Sequence, residues 1–549
     1  MLEDLDLHSI TDERTRELVR QLLNLLEAVM ADLRAAQAEN QRLRDEINRL
    51  KGEQGRPTIH PNTPQPPLKD HSSEQERRRP KTWSKGRKTE RIRIDREQVV
   101  QVDPDRLPPD AEFKGYEDVV VQDVLFRTDN VLFHKEKFYS PSQRQTYLAS
   151  LPPSYHGQFG PGLRSLALVF YYGARMSEPK VAELLRSVGV QISDGQVSNL
   201  LIKDHTVFHA EKATLYQAGL ASSPWQHLDD TSTRVNGQNG YCHIVCNPLY
   251  TAYFTTATKD RLTIIDVLTN HRPRRFVINE EALGYMEAFG LSAVRRQQLV
   301  QGPGETSVDD ATMHVLLDAH LPGLGPQQRK WILDATAVAA YHAELEWPVV
   351  RLLVCDDAPQ FTVVTKELAL CWVHEGRHYK KLTPHFPHHR ALVEAFVQRF
   401  WTYYDQLLAY REHPTPEEAA RLDGEFETLF LTVTGYDALD ERIAKTRTKK
   451  GCLLMVLTHP EIPLHNNPAE LGARARVRKR DVSFGPRTRE GATAWDTFMT
   501  LAETATKLGV SFYHYIHDRV SGTYQMPALA DLIEERAKVL NLGASWNTS

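Results

Sequence analysis

Residues 349–357 read VVRLLVCDD, a nearly unbroken apolar run that ends in two acids. A strand with one wet face alternates apolar and polar residues, whereas a strand covered on both faces does not. The run therefore predicts a central, doubly buried strand with carboxylates at its C-terminal end. Strand-like runs also occur much earlier, from residue 224: WQHLDDTSTRV, YCHIVCN and TAYFTTAT. Turn sequences join them, NGQNG at 236–240 and NPLY at 247–250, and RLTIIDVL then has a helical pattern.

Three antiparallel strands, a helix and a fourth strand make the order of an RNase H-like core, a mixed five-stranded α/β sheet with helices. In that topology the fourth strand lies parallel to the first. Asp229, near the end of the first strand, would then meet Asp356, near the end of the fourth. Pro468 suits the first turn of a later helix, and Glu470 on that turn can reach the same point. Crowded carboxylates repel one another unless cations neutralise them, and hard oxygen ligands suit Mg²⁺ or Mn²⁺. Two such ions, about 4 Å apart, clamp the attacking and leaving oxygens of a phosphoryl displacement. Around Glu470 stand Arg474, Arg476, Arg478, Lys479, Arg480, Arg487 and Arg489, a density suited to a DNA backbone.

The chain has 549 residues, too many for one ordinary core. Its hydrophobic content of 41%, charged content of 25% and lack of long apolar runs exclude a membrane span. The acidic N-terminus has no apolar segment of the secretory kind. Five scattered cysteines do not read as a disulfide framework and fit a reducing cytosol. A net charge of −4 means that any DNA affinity resides in local patches.

Six segments are expected along the chain. Residues 1–52 hold a heptad seam, with Val19, Leu26, Leu33, Asn40 and Ile47 at a and Leu22, Val29, Ala36, Leu43 and Leu50 at d. That seam predicts a coiled-coil homodimer. Residues 53–96 form a Pro-rich, then basic linker with ten Lys or Arg between 77 and 96, where Arg77, Arg78 and Arg79 are candidate DNA contacts. Alternation in 97–150 predicts a small β unit. Residues 151–215 are helical and resemble a helix-turn-helix, with Ser177 and Ser193 or Asp194 as caps, Gly189 as a stop, and Gln196 and Asn199 facing DNA. Residues 220–520 form the catalytic region, with helical insertions at about 275–345 and 385–458. Residues 521–549 are a tail.

Four segments, in order, resemble the insertion sequence 66 family of bacterial transposases: LDDTSTRVNGQNGY, VCDDAPQF, LCWVHEGRHYKK and LHNNPAELGARARVRKRDVSFG. The closing helices, from GATAWDTFMT onward, also resemble that family. The resemblance implies a DDE transposase acting on double-stranded DNA, with two Mg²⁺ or Mn²⁺ ions. Asp229 takes the place of the first catalytic Asp, Asp356 or Asp357 that of the second, with strand position favouring Asp356. Glu470 follows Asn467 of the Asn-x-x-Glu motif, with Leu471 where the family has Arg. Cys371, Trp372, His374 and Arg377 match the Cys-Trp-x-His-x-x-Arg segment. His374 is placed at the metal edge; a zinc reading of Cys371, His374 and His378 lacks a fourth ligand. Departures are the absence of cysteine from 53–150, which removes the family's zinc finger, and the long interval between the aspartates. A DNA-binding protein that has lost activity, and a nuclease that cuts without joining, are the alternatives.

Overall fold

The apolar run at 349–357 forms a strand inside a five-stranded mixed sheet, with helices before, between and after the strands. The computed structural model describes residues 10–51, 92–108, 111–124, 127–155, 157–300 and 306–547. Arg77, Arg78 and Arg79 lie outside the described residues.

Helix α1 (Glu13–Leu50) is one continuous helix, as the heptads predict. It also docks on its own chain, which the polar character of its other positions did not suggest. Leu23, off the heptad seam, is buried against Phe386. Glu27, 5% exposed, accepts N–H bonds from His385 and Phe386 and pairs with His389 Nδ1 at 3.2 Å. The seam residues Leu22, Val29, Leu33, Leu43, Ile47 and Leu50 remain exposed.

The expected β unit of 97–150 is reduced to a hairpin, β1 (Lys137–Ser140) with β2 (Gln145–Leu148). The described residues of 92–136 join no ladder, although their alternation is strand-like. Helices α2 (Pro161–Leu168), α3 (Glu178–Ser187), α4 (Asp194–Ile202) and α5 (Thr206–Ala221) follow, with a π turn over Val169–Gly173. Gly189 ends α3 with φ +94°. Ser193 and Gln196 form a reciprocal capping box at α4, whereas the Ser177 side chain makes no cap bond.

Strands β3 (Trp225–Val235), β4 (Gln238–Cys246) and β5 (Thr251–Thr256) form an antiparallel meander, turned first by Asn236 and Gly237, both at positive φ. After α6 (Arg261–Leu268) comes an insertion. It contains β6 (Arg275–Phe276), α7 (Glu280–Ala288), α8 (Ala293–Val300), β7 (Val308–Asp309), α9 (Asp310–His320) and α10 (Pro326–His342). Strands β8 (Leu352–Cys355) and β9 (Glu367–Leu370) complete the sheet in the order β5-β4-β3-β8-β9. β8 runs parallel to both β3 and β9.

Helix α11 (Trp372–Lys380) leads into the second helical insertion. That insertion holds α12 (Pro387–Glu412), α13 (Pro416–Phe430), α14 (Asp437–Arg447), α15 (Lys450–Leu453) and α16 (Met455–Thr458) around their own aromatic core. Thr415 caps α13, its side chain accepting the Glu418 N–H. Helices α17 (Asn467–Ser483) and α18 (Arg489–Lys507) return to the sheet. Ala469, Gly472, Ala473 and Ala475 give α17 a flat face, and a Cβ at Gly472 would come within 2.8 Å of Ile244 Cγ2.

Residues 521–549 are not a loose tail. After α19 (Phe512–Ser521), helix α20 (Leu529–Leu540) buries Leu529, Ala530 and Ile533, and Leu542 O accepts the Trp225 indole N–H at 2.6 Å. No described helix is long and apolar enough to cross a membrane.

Candidate active site

The parallel register pairs His227 with Val354, so Asp229 and Asp356 each stand two residues further on, at the same edge of adjacent strands. Side chains alternate along a strand, which puts this pair on one face and their neighbours Asp230 and Asp357 elsewhere. Asp230 is held by Lys259 at 3.1 Å and by the Gln360 amide at 3.0 Å. Asp357 accepts from Lys449, with His378 at 3.9 Å. Lys449 and neighbouring charges hold the Asp357 carboxyl below its ordinary range against the opposing effect of burial.

Asp229 and Asp356 have no lysine or arginine partner among the described residues. The Asp229 carboxylate accepts the backbone N–H of Asp230 at 2.9 Å, and that of Asp356 accepts from Ala358 N at 3.1 Å. Burial pushes the Asp229 carboxyl up to about 7, and Asp356 and Glu470 repel it further. Asp356 is also raised, mainly by burial. Two elevated, uncompensated carboxylates side by side are the setting that a divalent cation relieves.

Glu470, 9% exposed, sits one turn into α17 as its sequence predicts. Arg377 donates to its Oε2 at 3.1 Å, Arg474 lies 3.6 Å away, and His374 Nε2 approaches its Oε1 at 3.7 Å. His374 is thus beside Glu470, and its Nδ1 is buried without a partner. Potential ligand atoms of Cys371, His374 and Glu470 lie within 4.8 Å of one another, as do those of Asp357, Glu375 and His378. Asp229, Asp356 and Glu470 do not form so close a group among the described residues. His378 faces Asp357 and Glu375, away from Cys371 and His374, so the C-x₂-H-x₃-H zinc grouping does not form. Burial pushes the Cys371 thiol up to about 11.

Asn466 was not singled out in the sequence, where its neighbour Asn467 matched the motif. Fully buried, Asn466 donates to Leu228 O at 2.7 Å, pairs with His227 Nδ1 at 3.0 Å and gives its N–H to Cys371 Sγ at 3.2 Å. One side chain thus fixes the start of α17 to the strand carrying Asp229. The signal was the pair of asparagines before Pro468. Arg261 likewise ties the loop after Asp356 to the first insertion, donating to Pro359 O, Thr362 O and the buried Asp334.

The basic residues of α17 divide into two sets. Arg474 and Arg478 are exposed, as are Arg487 and Arg489 beyond the helix. Arg480 is partly exposed and donates to Ser232 O. Arg476 and Lys479 do not face solvent, contrary to their expected DNA contacts. Arg476, 1% exposed, pairs with Asp496 at 3.3 Å and lies over Trp495. Lys479 is wholly buried, donates to Met176 O at 2.8 Å and sits 3.2 Å from the Tyr171 ring centroid; burial brings its pKa down to about 7. In α4, Asn199 is exposed, while the Gln196 side chain is engaged in the capping box and donates to Gln158.

No protein-family profile matches the sequence. It is 32% identical over 332 residues to the uncharacterized protein y4jO of Sinorhizobium fredii (strain NBRC 101917 / NGR234), across 59% of this chain and 100% of that protein. The chain belongs to the same family as y4jO.

Proposed function

We propose that the protein is a DDE transposase with an RNase H-like core, a divergent relative of the insertion sequence 66 transposases. The observation that carries this reading is the pair Asp229 and Asp356, side by side at the ends of parallel strands, raised by burial and without a lysine or arginine partner among the described residues. The four ordered motifs and the basic surface beyond Glu470 support it.

Asp229, Asp356 and Glu470 would hold two Mg²⁺ or Mn²⁺ ions, which when bound neutralise the oxygens of an in-line phosphoryl transfer. Asn466 fixes the distance between the first and third of these carboxylates. Arg377 orients Glu470, and the unpartnered His374 Nδ1 beside it can accept or donate a proton at the edge of the site. Arg474, Arg478, Arg487 and Arg489 offer phosphate contacts that lead from the site along α17. The exposed seam of α1, with Asn40 at an a position, favours a parallel homodimer.

The test is strand cleavage and joining by purified protein with Mg²⁺ and duplexes taken from the DNA flanking its coding region. Wild type yields cut ends and joined products, and Asp229→Asn binds the same DNA without cutting it. Equal cutting by both, or none by either, overturns the assignment. Cutting without joining identifies a nuclease instead.

A further inference from the structure

Phe484 is the most exposed aromatic side chain among the described residues, at 90%. It ends α17 in the left-handed region, φ +59°, giving its N–H to Arg480 O at 2.7 Å. That position ordinarily selects glycine or asparagine, and a bulky side chain there is strained. Here the strained residue also leaves a phenyl ring in water, so neither packing nor backbone preference accounts for it. Outliers of this kind, held by their surroundings, point toward a use.

The surroundings do hold it. Gly485, φ +85°, approaches the β3–β4 hairpin so closely that a Cβ would meet Arg234 O at 2.9 Å. Asn236 N donates to Pro486 O at 3.1 Å, Arg480 reaches Ser232 O, and Thr488 caps α18 immediately afterward. The ring is thus presented on a turn fixed on both sides.

Leu471, Arg474, Arg478 and Val482 form an exposed stripe along α17 from Glu470 to Phe484. Arg478, Arg487 and Arg489 make no ion pair among the described residues, although Asp481 and Glu490 stand nearby. Fourteen residues of helix span about 21 Å, or roughly six base pairs.

We infer that Phe484 stacks on an unstacked base of the DNA bound along α17, about six base pairs from the carboxylates. The inference rests on the DNA-binding reading above. A nucleobase fits better than a protein partner because exposed Arg478, Arg487 and Arg489 accompany Val482 along the stretch that presents the ring; an aromatic face binds any base, and basic neighbours track the backbone.

The test compares fluorescein-labelled 30-base-pair duplexes, fully paired or with one mismatched pair, by anisotropy in Ca²⁺ buffer. Wild type is expected to bind the mismatched duplex about tenfold more tightly. Phe484→Ala loses that preference, Phe484→Trp keeps it, and Arg474→Ala weakens both duplexes equally. Unchanged preference in Phe484→Ala overturns the inference, as does a wild type without preference. A drop in molar mass by light scattering in Phe484→Ala, with DNA affinity intact, assigns the ring to a protein contact and also overturns it. If wild type binds neither duplex, the DNA-binding reading itself falls, and this inference with it.

Discussion

Lys449 donates to Asp357 and so commits that carboxylate to the second helical insertion; the same amine also reaches Glu375 of α11 at 3.0 Å. Asp356, one residue earlier, has no lysine or arginine partner among the described residues. Adjacent acids in one sequence motif thereby acquire different work.

The two aspartates are separable by substitution. Asp356→Asn is expected to abolish Mg²⁺-dependent cleavage, by at least about a hundredfold in rate, equivalent to about 2.7 kcal/mol. Asp357→Asn keeps most of the activity. Single-turnover rates of the two variants check this, and loss of activity in both would reverse the assignment of Asp357.

Asp229 makes stability depend on pH in a known direction. Its folded pKa, about 7, is above the ordinary carboxylate value of 3.8. Its contribution is therefore fully present below about pH 4 and is lost as pH rises through 7. Asp229→Asn is expected to melt several degrees above wild type at pH 8 and level with it near pH 4. Millimolar Mg²⁺ raises the wild-type Tm at pH 8 and leaves the variant unchanged. Thermal melts across this range decide it.

Arg474 and Arg476, two residues apart, separate binding from folding. Arg476→Ala leaves the Asp496 carboxylate buried without its partner and is expected to cost about 3–5 kcal/mol of stability. Arg474→Ala and Arg478→Ala leave the melt unchanged and each lower the slope of log affinity against log salt by about one. Denaturant unfolding and salt titrations give the two readouts.

Lys479 provides the opposite pH sign. Its folded pKa of about 7 is below the ordinary lysine value of 10.5, so its contribution is present above 10.5 and is lost as pH falls through 7. Lys479→Met, similar in length and without charge, is expected to be more stable than wild type at pH 6. The difference shrinks steadily toward pH 9. Urea unfolding at the two pH values measures it.

Much of the sheet was legible because it rests on local signals. The doubly buried strand announces itself as VVRLLVC, the hairpin as an Asn-Gly turn, and the start of α17 as Pro468. The described residues of 97–136 carry an equally strong alternation and join no ladder. Alternation is a property of one segment, whereas pairing needs a neighbour that sequence does not name. The same gap explains Arg476 and Lys479. A helix with arginine and lysine on several faces does not disclose that Asp496 and Tyr171 wait beneath two of them. Helix α20 carries a slighter signal: Leu529 and Ile533, four apart, share its one buried face.

The order of the sheet has a consequence for the timing of synthesis. Strand β8 lies between β3 and β9, and Glu470 arrives on a helix 241 residues after Asp229. At about 5–20 residues per second, translation takes on the order of ten seconds or more to supply that interval. Until β8 emerges, about halfway through it, the chain holds the first aspartate beside an unfilled slot in its sheet. A polypeptide released early by a broken message would lack the third carboxylate altogether. On the proposed reading, a copy cut short before Glu470 holds two of its carboxylates and cannot complete the set.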